Sequence, residues 1–250
     1  MEQANLSMEN YEQFLRCLSI LKDVCNDADI HDGILRQRTN DNANVFEIDM
    51  TPIIDTLDIP LVNLKQKLDL LKIFLNQSST QSQTVDIIVD DDSNFTFSDE
   101  YSSIKFQGPE LEYMDNRFIT TEELEHIFTL NEEDVILQTD IETNISDRMR
   151  IIAQSFNVNA TQISFENDVA SITMETQGHD QSAKILSDIT IERPMECTSS
   201  LTNTPFIIDH DGKIELKMYN YQEQICSNTF KTSIGDIDIS IYGRSSLIEE

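Results

Sequence analysis

Between residues 11 and 26 the apolar positions recur every three or four residues. Phe14, Leu18, Leu21 and Cys25 form one stripe, and Arg16, Ser19, Lys22 and Asp23 lie away from it. This period predicts an amphipathic helix over 11–26. It then shortens to two: Val45-Phe46-Glu47-Ile48-Asp49-Met50 alternates as a half-buried strand does, after a His31-Asp32-Gly33 turn within 29–39. Beyond Pro60 the helical period returns over 61–75, with Leu64, Leu68, Leu71 and Leu75 expected inward and Lys65, Asp69, Lys72 and Asn76 on another face. A polar Ser/Thr/Gln run follows, then predicted strands over 85–89 and 95–106 around an acidic turn.

Alternation fails from 108 to 134, where Gly108-Pro109 and several acidic residues surround a short helical pattern at 121–128 capped by Thr120 or Thr121. That stretch reads as an interdomain connector. The second half repeats the order of the first: a strand over 135–139, a helix over 144–156 and a hairpin of 162–165 with 169–174. Strands are then expected over 183–191, 206–209, 213–219, 225–231 and 237–242. The pattern predicts a pseudo-duplicated α+β chain with domains at 1–107 and 135–250 joined by 108–134.

Charge changes the picture. The 250 residues carry 46 Asp+Glu against 17 Lys+Arg, a formal net charge of −29. A field of that sign repels nucleic acid and anionic membrane, so any contact with phosphate must use a few basic side chains gathered on one protected face. Seven of the 17 basic residues fall on three predicted helices: Arg16 and Lys22, then Lys65, Lys67 and Lys72, then Arg148 and Arg150. Residues 1–5 have no basic segment or apolar run, and no long apolar stretch occurs, so a soluble cytoplasmic protein without membrane contact is expected. Cys17, Cys25, Cys197 and Cys226 lack CxxC spacing and read as reduced structural thiols.

The candidate chemistry is thin. His31-Asp32-Gly33 and His210-Asp211-Gly212 look like paired metal ligands, but Asp-Gly between alternating strands is a hairpin signal, and both read as turns. His126 and His179 fall in expected loops without ligand spacing. Asp90, Asp92 and Asn94 begin like a calcium loop, yet Phe95 stands where Gly is needed and Tyr101 where Glu is. No phosphate-loop, dinucleotide, nucleophile-elbow or zinc-protease motif is present. The expectation is a protein without catalytic residues, metal or cofactor.

Taken together, the segments Tyr11-Glu12-Gln13-Phe14-Leu15, Asp32-Gly33-Ile34-Leu35, Val45-Phe46-Glu47-Ile48-Asp49, Leu61-Val62-Asn63-Leu64, Val85-Asp86-Ile87-Ile88-Val89 and Asp236-Ile237-Asp238-Ile239-Ser240-Ile241-Tyr242 resemble the DNA sliding clamps. The clamps of T4-like phages are the nearer type, and proliferating cell nuclear antigen the more distant. The resemblance implies a two-domain clamp fold in a homotrimeric ring, with helices on the inner face and antiparallel sheets on the outer. It implies duplex DNA in the channel, no enzymatic activity, and tethering of a replicative DNA polymerase after placement by a clamp loader. If the source is viral, the location is the host cytoplasm.

Carried over by position, Arg16, Lys22, Lys65, Lys67, Lys72, Arg148 and Arg150 would face DNA, with Lys67 out of phase with the other two on its helix. Tyr113, Met114, Phe118, Leu247 and Ile248 would form the partner pocket. The resemblance also implies a second channel helix in the second domain, but residues 197–205 are Ser/Thr-rich and lack basic residues, so that helix is expected to be reduced. The alternative reading is an acidic viral structural or assembly protein without DNA contact.

Overall fold

The computed structural model describes residues 2–76, 84–90, 92, 94–108, 119–128, 130–156, 160–166, 169–175, 182–187, 197–202, 208–222 and 225–248. The chain divides into two compact units: Met1–Thr120 with Ser233–Ile239, and Thr121–Thr232 with Ser240–Glu250.

In unit 1, strand β1 (Glu2–Ser7) leads into helix α1 (Met8–Leu21), which starts earlier than its apolar stripe because the Ser7 hydroxyl caps it, accepting from Asn10 N at 3.2 Å. Strands β2 (Ala28–His31) and β3 (Ile34–Arg38) form a tight hairpin. Asp32 and Gly33 both take positive φ, 50° and 73°, as a two-residue turn that follows the strand twist requires. Strand β4 (Asn44–Asp49), short helix α2 (Thr51–Ile54) and β5 (Ile59–Leu61) follow, and β5, β2, β3 and β4 lie side by side in that order.

Helix α3 (Leu64–Leu71) tightens into a 3-10 turn over Lys72–Asn76. With three residues per turn the inward position after Leu71 becomes Phe74, which is buried, whereas Leu75, expected inward, is 39% exposed. The second sheet of the unit runs β1, β6 (Thr84–Val89), β7 (Phe95–Ser98), β8 (Ser103–Phe106), all antiparallel.

The single strand expected over 95–106 is thus a hairpin. Asp99 makes the turn, its Oδ1 accepting from Tyr101 N at 2.8 Å and Ser102 N at 2.6 Å, so the backbone is satisfied locally instead of by continuing the ladder. Asp90 does the same in the preceding turn, accepting from the Asp92 and Asn94 amides, and this is the solvated turn read from sequence. The core between this sheet and the helices is aromatic: Tyr11, Phe14, Phe74, Phe95 and Phe97 are fully buried. Tyr11 also donates its hydroxyl to Leu71 O at 2.8 Å, which pins α1 to α3, and burial raises its pKa so that the donor keeps its proton.

Unit 2 opens with helix α4 (Thr121–Phe128), where Leu124 and Phe128 turn inward and Phe128 packs on Tyr242. His126 lies on this helix and not in a loop. Strand β9 (Val135–Ile141) precedes helix α5 (Thr143–Phe156). Strands β10 (Ala160–Glu166), β11 (Val169–Glu175), β12 (Ser182–Ser187) and β13 (Cys197–Thr202) form a ladder in the order β12-β11-β10-β13, and β13 also pairs with β16 (Ile237–Ile248). Strand β14 (Ile214–Gln222) pairs with β9 and with β15 (Ile225–Ile234).

Two expectations are corrected here. Residues 197–202, where the resemblance implies a reduced channel helix, form β13, because the β-branched Thr198 and Thr202 suit a strand and the segment is paired on both sides. Ile208–His210 is not strand, and His210-Asp211-Gly212 is a bend leading into β14 and not the turn of a hairpin. Cys17, Cys25 and Cys226 are buried free thiols. Among the described residues no helix is long and apolar enough to cross a membrane.

Candidate nucleic-acid interface

The helices bring basic side chains to the surface in different electrostatic states. On α1, Arg16 is half-buried and engaged, and Lys22 closes the helix as its C-cap, half-buried, where a cation meets the negative end of the helix dipole. Lys65 and Lys72 are about two turns apart and share a side of α3. Lys65 is exposed; Lys72 pairs with Asp69 at 3.3 Å.

Lys67 points elsewhere. Its ammonium lies 5.0 Å from the Phe95 ring centre and 5.4 Å from that of Phe106, over the sheet, and burial lowers its pKa. Lys67 therefore does not share the Lys65 face, and its charge is spent on the aromatic pair beneath it.

On α5, Arg148 is exposed. Arg150 is held between two carboxylates, Asp147 Oδ1 at 2.7 Å and Asp209 Oδ1 at 3.2 Å. Among the described residues, then, Lys22, Lys65 and Arg148 carry charge without an ion pair, while Lys72 and Arg150 are paired.

The sheets treat their cations differently. Arg36 on β3 meets Glu47 on β4 at 2.5 Å, Lys105 on β8 meets Asp90 at 3.1 Å, Lys217 on β14 meets Glu132 at 3.2 Å, and Lys213 beside β14 meets Asp140 on β9. Lys231 stands directly opposite Glu215 in the β14–β15 register. Arg38, exposed at the end of β3, is a sheet cation outside this pattern.

Sequence reasoning missed a buried polar group beside α5. His210 is 7% exposed; its Nδ1 donates to Ile208 O at 3.1 Å, and its Nε2 lies 2.8 Å from Ser146 Oγ, a residue fully buried in the first turns of α5. The two residues are 64 apart in sequence, so no local spacing could announce the contact. A serine beside a histidine is the start of a nucleophilic site, but no substrate can reach a hydroxyl with no exposed surface, and Ser146 Oγ also contacts Thr143 O at 3.0 Å, within its own helix. Among the described residues no three His, Cys, Asp or Glu side chains gather as a metal site.

Of the expected partner pocket, Tyr113, Met114 and Phe118 lie outside the described residues. Leu247 and Ile248 lie on β16 with backbones paired to Ser199 and Thr198 of β13, and their side chains are likewise outside what is described.

Neither a protein-family model nor a curated protein sequence matches the chain. Solved structures do. A. fulgidus PCNA, bound to the C-terminal region of FEN-1, superposes with a TM-score of 0.64 at 11% identity, covering 100% of both chains. The PCNA2–PCNA3 complex of Sulfolobus tokodaii matches with a TM-score of 0.64 at 12% identity over 97% of this chain and 98% of that one. PCNA from Entamoeba histolytica gives 0.62 at 12% identity over the same shares. The α+β fold of this chain, with its antiparallel sheets, is the fold of these sliding-clamp structures from end to end.

Proposed function

We propose that this chain is a DNA sliding clamp: three copies close into a ring around duplex DNA and tether a replicative polymerase, with no chemistry of their own. The observation that carries the reading is the full-length match of fold to PCNA structures, over 100% of both chains in the first comparison. Two features of this chain support it. Lys22, Lys65 and Arg148 are open cations on helices of an otherwise acidic protein, as a channel lining requires. Strand β8 ends one sheet and β12 ends another, so each leaves a row of backbone groups for a neighbouring copy.

Apolar side chains flank both edges. Leu70, on α3, and Ile73, on the 3-10 turn that follows it, are each 49% exposed; Lys67 of the same helix lies over Phe95 of β7 and Phe106 of β8, and Tyr101, 67% exposed, precedes β8. Ile151, 61% exposed, lies on α5, which packs on β11 and β12. A contact of β8 in one copy with β12 in the next is head-to-tail, and such contacts close into a ring when the rotation between copies returns the last to the first. Partner tails, from a polymerase and a clamp loader, would dock around Tyr113, Met114, Phe118, Leu247 and Ile248, much as the FEN-1 C-terminal region binds A. fulgidus PCNA. The cytoplasm, the host's for a phage or viral chain, is the proposed location.

Sedimentation at graded concentration, followed by retention on duplex DNA with open or blocked ends, tests this. The expected result is a trimer that stays on blocked DNA and slides off open ends. A chain monomeric at every concentration, or retention indifferent to the ends, refutes the proposal. An oligomer that never retains DNA favours the acidic assembly protein instead.

A further inference from the structure

The proposed DNA contact of unit 2 rests on α5, and that helix is gripped from one side by the segment preceding β14. His210 reaches Ser146 at 2.8 Å, and Asp209 reaches Arg150 at 3.2 Å. Ser146 and Arg150 are four residues apart, one turn along the same face. Asp147 closes the other side of the Arg150 guanidinium at 2.7 Å. Arg148 falls on the opposite side of the helix by the 3.6-residue period and is exposed.

The hydrogen bonds give the grip direction. Ile208 O can only accept, so His210 Nδ1 carries a proton, and the ring is fixed at both ends between Ile208 and Ser146. The Arg150 fork meets two carboxylates from two different segments, a geometry that a planar guanidinium suits and an ammonium does not.

Resting on the clamp reading, we propose that Arg150 and His210 are positioning residues: they clasp α5 to the Ile208–His210 segment so that Arg148 alone, of the two arginines on this helix, meets phosphate. The segment does in unit 2 what the Tyr11–Leu71 hydrogen bond does in unit 1, fixing the helix that carries an open cation.

The test uses the full chain, a synthetic duplex and two readouts: the slope of log affinity against log salt, and hydrogen exchange of the α5 amides. Arg148→Met should lower the slope by about 0.9 for each phosphate no longer neutralised, roughly 2.7 for three copies, and leave α5 exchange unchanged. Arg150→Met and Arg150→Lys should both speed exchange around residues 145–150 and weaken binding while the slope stays at the wild-type value, because the same phosphates are still neutralised.

Ser146→Ala should act in the same direction as His210→Ala and stands in for it if the latter does not fold. If Arg150→Met lowers the slope as Arg148→Met does and Arg150→Lys restores it, Arg150 meets phosphate directly and the proposal is overturned. Exchange unaltered by Arg150→Met and Ser146→Ala would mean that no clasp exists. A wild type with no salt-dependent DNA binding overturns the clamp reading itself, and the slope data separate that outcome from failure of the clasp alone.

Discussion

The cations of the sheets are mostly paired with carboxylates, whereas those of the helices are divided between paired and open. On the sheets Arg36, Lys105, Lys213 and Lys217 each meet a carboxylate, Arg36 directly across a ladder, and Lys231 faces Glu215. On the helices Lys22, Lys65 and Arg148 have no such partner among the described residues. In a chain with 46 acidic residues an unanswered lysine is the less expected state, since carboxylates are everywhere to be had. The paired sheet cations are occupied by carboxylates of their own unit, and the open helix cations are left available to an external anion.

The largest effect should come from reversing the open cations. Lys65→Glu with Arg148→Glu should lower the salt slope of duplex binding by up to about 5 for a ring of three copies, at about 0.9 per phosphate, and shorten polymerase products on a primed template. Circular dichroism should stay at the wild-type shape. Adding Lys72→Glu should matter less than either, because its ammonium is already shared with Asp69. Unchanged slope and product length in the double variant would erase the distinction between helices and sheets.

Asp29 on β2 is a buried sheet carboxylate with no lysine or arginine paired to it among the described residues. Burial raises its pKa to about 7, with His31 opposing and Asp58 assisting the rise. The folded chain thus holds a proton that the unfolded chain releases near the ordinary value of about 3.9. Stability linked to Asp29 is therefore full below about pH 4 and is lost as pH rises to about 7. Asp29→Asn should flatten that decline and raise Tm at pH 8 by the equivalent of a few kcal/mol, with little change at pH 4. Melting curves across the range would show it, and parallel wild-type and variant profiles would count against the buried acid.

The smallest effect belongs to the sheet pairs. Lys213→Ala should leave the urea unfolding midpoint almost unchanged, because both partners of its ion pair with Asp140 are about half-exposed and screened by solvent. It should also leave the DNA salt slope untouched. A drop in that slope would place phosphate against the sheets and invert the comparison.

Much of the fold was legible from local signals. The α1 stripe from Phe14 to Leu21, the Asp32-Gly33 turn, the α4 pattern at 121–128 and the hairpin of β10 with β11 match the structure because periodicity and turn chemistry act within a few residues, whereas Cys25, read as part of the stripe, lies beyond the end of α1. The failures share a cause. Leu75 was expected inward, but the helix changed pitch one residue after Leu71. The 95–106 run read as one strand because alternation hides an Asx turn at Asp99. Helix and strand could not be told apart at 197–202, where pairing with β10 and β16 decides. The candidate site was legible as a set of helical cations and not as a set of states.

By itself the sequence determined the helix–hairpin order of both halves, the acidity that confines any phosphate contact to one face, and the identity of the basic residues on the helices. These follow from side-chain chemistry and short-range period. Only the tertiary structure decided which of those cations remain open. Lys65 and Lys67 stand two residues apart on α3, yet one is exposed and the other lies over Phe95, a residue brought near by the second sheet. Arg148 and Arg150 are likewise two apart on α5, and Asp209, 59 residues from Arg150, pairs with the second while the first is exposed. A charge is set by its residue type, but its availability is set by what the fold places within a few ångströms, and that information is not local.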